Sequence, residues 1–135
     1  MSDNCKKTKV YEYMQVKIVA VTVDATLREA SQIMSEKGVG ALLVKDDQDY
    51  VGIISEKRLS REGIAKGLNV ETTSVRSIMR ADLITVESDQ TVTDAREIMK
   101  ANKVRHLVVK EKNKIVGIIT LSDLIRYYAD FFEDE

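Results

Sequence analysis

The chain has 135 residues, with 21 Lys and Arg against 22 Asp and Glu, a formal net charge of −1 at pH 7 and 44% hydrophobic residues. A chain of this length buries roughly two-thirds of its unfolded surface without disulfides or metals, and its evenly mixed charge leaves no basic stripe for a nucleic acid. The lone Cys5 excludes an internal disulfide, and no 18-residue apolar run or signal-like segment is present, so the sequence predicts a cytoplasmic protein with no membrane partner.

Residues 1–9 are polar and charged and predict a flexible N-terminal tail. From Val10 the sequence repeats itself. Laying Val10–Arg61 over Val75–Arg126 at an offset of 65 needs no gap and gives 18 identities in 52 positions, most of them apolar. Internal similarity at a fixed period identifies a tandem duplication. The boundaries are residues 10–66 for repeat 1, 67–73 for a connector with Gly67 as the helix stop, and 74–135 for repeat 2 with a C-terminal helix.

Each repeat opens on a short apolar run, Ile18–Val21 and Leu83–Val86. There follow Thr26-Leu27-Arg28-Glu29 and Thr91-Val92-Thr93-Asp94, each a helix N-cap with its reciprocal acidic partner three residues on. Leu27, Ala30, Ile33 and Met34 then recur at helical spacing, as do Val92, Ala95, Ile98 and Met99. Two apolar runs split by a charged turn predict hairpins, Ala41–Val44 with Tyr50–Ile54 and Leu107–Val109 with Ile115–Ile119. A second helix starts near Glu56 in one repeat and Leu121 in the other, where Leu121, Leu124, Ile125, Tyr128 and Phe132 form an apolar face. The fold class is α/β, two β-α-β-β-α repeats packed sheet to sheet with pseudo-twofold symmetry.

Where the last strand of repeat 2 meets its helix, Gly117, Thr120 and Asp123 form a Gly-apolar-x-Thr-x-x-Asp motif. Thr120 and Asp123 read either as a plain capping box or as a ligand grip, since an ionised carboxylate is acceptor-only and takes protons from paired hydroxyls. In repeat 1 the corresponding stretch is Gly52-Ile53-Ile54-Ser55-Glu56-Lys57-Arg58: the hydroxyl stays and the carboxylate becomes an arginine.

The duplication, the element order and this motif together resemble a tandem pair of CBS domains, the Bateman module. The resemblance covers Val10 to about Tyr128. It implies a regulatory protein, not an enzyme, that binds adenosine-containing ligands such as AMP, ADP, ATP or S-adenosylmethionine, needs no cofactor and forms a homodimer. It assigns Asp123 to the ribose, Thr120 to a hydroxyl contact, backbone near Ile84 and Thr85 to the adenine edge, and Arg105 and His106 to the phosphate. A permanent guanidinium fork and a titratable imidazole suit that last role. Repeat 1 departs from the pattern twice, with Arg58 in place of Asp123 and Gly40-Ala41 in place of Arg105-His106. The principal site is therefore expected in repeat 2, while Arg58 either reaches a phosphate or fills its own pocket.

A ligand-free dimerisation or protein-interaction module is the alternative, and an unidentified protein partner fits either reading. One histidine without a cysteine pair predicts no zinc site. Asp46-Asp47-Gln48-Asp49 lacks the glycine and distal glutamate of a calcium loop and reads as a hairpin turn. No Walker or dinucleotide fingerprint is present, and Cys5 has no neighbouring base for nucleophilic catalysis.

Overall fold

The structure is a computed structural model that describes residues 8–133, with side chains to 131. Cys5, the first seven residues of the N-terminal tail and the Phe132 side chain lie outside the described residues.

Two three-stranded sheets form, each with one parallel and one antiparallel pairing. In the first, β1 (Ala20–Thr22) runs parallel to β2 (Ala41–Asp46), which pairs antiparallel with β3 (Asp49–Ser55). In the second, β4 (Thr85–Glu87), β5 (His106–Glu111) and β6 (Lys114–Thr120) repeat the arrangement, with the shift in register at Lys110 as it is at Lys45. Parallel neighbours need a crossover, supplied by α1 (Leu27–Lys37) and by its counterpart α3 (Val92–Asn102). Both begin on the expected capping boxes: Thr26 accepts from the Glu29 N–H, Thr91 accepts from the Asp94 N–H, and both carboxylates accept in return from the cap backbone. Both end in the left-handed region, at Gly38 with φ 66° and at Lys103 with φ 55°.

After the hairpins the repeats diverge. In repeat 2 the regular α4 (Leu121–Glu133) follows β6, whereas in repeat 1 a single turn, α2 (Glu56–Arg58), passes into a π-helical stretch, Leu59–Ile64, that closes at Gly67 with φ 75°.

Each sheet buries its own core. Leu27, Ala30 and Met34 of α1 lie against Val21, Leu42, Val44 and Ile54; Val92, Ala95 and Met99 of α3 lie against Val86, Leu107, Val109, Ile119 and Leu124. Each fully buried aliphatic side chain contributes about 1.5–3 kcal/mol, so these faces hold the helices on the sheets.

The two compact units do not follow the repeat boundaries. One consists of Val19–Leu83; the other joins Ile84 and the residues after it to the residues up to Ile18. A 3-10 turn at Val10–Glu12 buries Val10 among Val86, Val92 and Leu107, and the Val10 N–H donates to the Gln90 carbonyl at 2.8 Å. In the contiguous unit, the turn at Val75–Ser77 places Val75 in the core with Val21 and Leu27, its N–H on the Ala25 carbonyl at 2.8 Å. The opening residues of each aligned repeat thus fold with the sheet of the other.

Two glycines permit this. A Cβ on Gly117 would stand 2.7 Å from the Gln15 carbonyl oxygen, and one on Gly52 would stand 2.8 Å from the Arg80 carbonyl oxygen. Backbone crosses strand at these points, where Gln15 bridges to Ile118 and Arg80 bridges to Ile53.

Candidate functional site

The end of β6 turns into α4 with Thr120 and Asp123 locked together. The Asp123 N–H donates to Thr120 Oγ1 at 3.2 Å, while the Thr120 N–H and hydroxyl donate to Asp123 Oδ2 at 2.8 and 3.1 Å. The capping box therefore forms, but it does not account for the whole carboxylate. Oδ1 accepts from Gln15 Nε2 at 3.1 Å and from an Arg126 Nη at 3.3 Å, with Asp123 only 4% exposed. Arg126 in turn donates to the Tyr13 carbonyl at 3.0 Å and lies over the Tyr13 ring. The Tyr13 hydroxyl donates to Asp130; burial, then that bond, pushes its pKa up.

The other expected residues gather at the same end of the same sheet. His106, half-buried, starts β5 directly across from Thr120, and the preceding Arg105 is exposed and offers its carbonyl to the Leu121 N–H at 2.9 Å. On the other side of β5, Thr85 pairs with Val108, whose N–H donates to the Ile84 carbonyl at 3.0 Å. Ile84, Thr85, Arg105, His106, Thr120 and Asp123 thus share one unit and one sheet end. That end holds a buried carboxylate that accepts hydroxyl protons and a strand edge beside it, with a guanidinium for a negative charge.

Gln15, Arg126 and Tyr13 escape the sequence reading. The offset of 65 aligns Gln15 with Arg80 and Tyr13 with Ile78, yet a repeat period does not say with which sheet a segment folds. Arg126 and Arg61 are identical across the repeats, the one signal that could have drawn attention to the position.

In the contiguous unit the same places hold opposite chemistry. Ser55 accepts from the Arg58 N–H at 3.1 Å, so the cap persists without an acid. Arg58 donates through Nε to the carbonyl of Ile78, the residue aligned with Tyr13. One backbone carbonyl is thus held by an arginine in both units, from one helical turn further along in repeat 2.

A family model described as the CBS domain matches residues 10–64 and 75–130. The chain belongs to the CBS-domain family. It is 35% identical over 115 residues to an uncharacterised protein of Methanocaldococcus jannaschii, a match covering 84% of this chain but 37% of that longer relative. It is 34% identical to a 17.7 kDa protein of Acidianus ambivalens, over 91% of this chain and 74% of the relative. A crystal structure of a conserved protein from Pyrococcus horikoshii is similar at a TM-score of 0.86 and 33% identity, covering 91% of this chain and 93% of that one. The fold is therefore that of a tandem CBS pair, and tandem CBS modules are regulatory and often bind adenosine nucleotides. Among the described residues no cluster of three His, Cys, Asp or Glu is placed to hold a metal, and no helix is long and apolar enough to cross a membrane.

Proposed function

We propose that this CBS pair is a non-enzymatic regulatory module that binds an adenosine-containing nucleotide of the AMP, ADP or ATP class, mainly at the repeat-2 site. Binding signals through altered packing of the repeats or of a homodimer. The observation that carries the reading is the Asp123 carboxylate, buried beside Thr120 and engaged by two side chains, Gln15 and Arg126, that an entering ribose replaces. Ribose hydroxyls donate to the carboxylate as those groups do. Ile84 and Thr85 edge the base, and Arg105 and His106 face the phosphate. Leu121 and Ile125, exposed on α4, are the apolar positions against which a second copy packs.

A nucleotide shifts such a module only if it binds one arrangement more tightly than another. Thermal unfolding with adenosine, AMP, ADP, ATP, NAD and S-adenosylmethionine tests the reading, because a ligand at about a hundred times its dissociation constant adds ~2.7 kcal/mol. Asp123→Asn keeps the shape and removes an acceptor; it is expected to abolish the shift. No shift with any adenosine compound, or an unchanged shift in Asp123→Asn, overturns the proposal.

A further inference from the structure

Around Arg58 the contiguous unit gathers a set of charges that the Asp123 reading does not use. Arg80, aligned with Gln15, is fixed to β3 by two backbone bonds with Ile53, each 2.9 Å. Its guanidinium clasps Asp82 at both carboxylate oxygens, Nε to Oδ1 at 3.0 Å and Nη to Oδ2 at 3.2 Å. Arg58 reaches the same place from the helix side, anchored on the carbonyl of Ile78 two residues before Arg80. The Asp82 carboxyl is held below the usual carboxylate range, first by the Arg80 hydrogen bond, with further contributions from its own backbone and the charges of Arg80 and Arg58. Glu62 also faces Arg58, but its carboxylate is bound to Lys66 at 2.7 Å.

The fork that grips Asp82 is the geometry by which arginine recognises phosphate, two parallel N–H donors on two oxygens of a planar or tetrahedral oxyanion. Asp82 is 69% exposed in its side chain, held by that ion pair and by a bond from its own backbone. A carboxylate of this kind is a replaceable occupant. A phosphate brings more charge and more oxygens than a carboxylate.

We propose that Arg58 and Arg80 form an oxyanion site of the phosphate class, which Asp82 fills when no phosphate is bound. Its polarity is the inverse of the Asp123 site, and it stands whether or not that site takes a nucleoside.

Isothermal titration with pyrophosphate, inorganic phosphate, ATP and adenosine tests this on the full chain. Arg80→Gln places in this unit the residue the other unit already carries, so the fold persists; pyrophosphate affinity is expected to fall at least about tenfold on losing the fork. Asp82→Asn removes the resident charge and is expected to tighten pyrophosphate several-fold. Adenosine affinity stays the same in both variants. Asp123→Asn does the reverse, losing adenosine and keeping pyrophosphate, so the failure of one site is distinguishable from that of the other. If ATP responds to Arg80→Gln and pyrophosphate does not, the oxyanion is a nucleotide's phosphate chain; if both respond, a free phosphate suffices. Binding of both pyrophosphate and ATP that is absent in the parent or indifferent to Arg80→Gln, or pyrophosphate binding weakened by Asp82→Asn, overturns the proposal.

Discussion

The two units of this protein share a sheet topology and differ in chemistry at three places around the candidate site. At the head of the last helix one has Asp123 and the other Arg58; on the crossing segment one has Gln15 and the other Arg80; at the start of the middle strand one has Arg105-His106 and the other Gly40-Ala41. What is common is held by the backbone bridges at Ile118 and Ile53 and the glycines beneath them, with a hydroxyl cap kept in each unit at Thr120 and Ser55. A scaffold tied by backbone leaves its rim free to change sign. That freedom explains how a duplicated fold comes to carry a buried carboxylate, Asp123, in one unit and the arginines Arg58 and Arg80 in the other.

The comparison is tested most severely in the cores. Leu42 and Leu107 occupy equivalent places and are fully buried; each truncation to Ala is expected to cost about 2–5 kcal/mol in urea unfolding. Similar losses support equivalent cores, whereas a loss confined to one places the stability in a single unit. Next in size are the crossing points. Gly52→Ala and Gly117→Ala each push a methyl against a carbonyl oxygen, and each is expected to cost about 1–3 kcal/mol, as overpacking does.

Helix ends give smaller effects. Thr26→Ala and Thr91→Ala remove matched caps, and about 1 kcal/mol each is expected from thermal or urea unfolding. Their opposite ends are not matched. Lys103 adopts with strain the left-handed conformation that Gly38 adopts freely, so Lys103→Gly is expected to stabilise by up to about 1 kcal/mol.

The smallest effect is electrostatic. Glu29 is held below its ordinary pKa by hydrogen bonds from the Thr26 backbone and side chain. Its contribution is therefore present above the ordinary carboxylate pKa and disappears as pH falls through the lowered folded value. The acid limb of a pH–stability profile should flatten slightly in Glu29→Gln.

Much of the architecture was legible because it is local. The boxes at Thr26 and Thr91, the helical spacing of Leu27, Ala30 and Met34, the two hairpins and the stop at Gly67 each depend on neighbours in sequence, and the structure shows all of them. The π-helical stretch at Leu59–Ile64 was not legible, since its residues carry no marker of an altered hydrogen-bond ladder. At the candidate site the sequence named Thr120 and Asp123 from a motif, and the structure shows them bonded to one another. It could not name Gln15, 108 residues away from the carboxylate it touches, because that meeting depends on which sheet receives the opening segment.

The destination of that opening segment also sets an order of events during synthesis. Val19–Leu83 is an uninterrupted stretch, whereas Val10 and Gln15 wait for the strands that follow Ile84. Domains fold as units while the ribosome works from the N-terminus, so the contiguous arginine-bearing unit is expected to complete its contacts before the other. The aspartate-bearing unit closes only when the segment before Ile18 meets the residues after Ile84. Split at the connector, the gene would yield two fragments that each lack a buried valine, Val75 in the first and Val10 in the second.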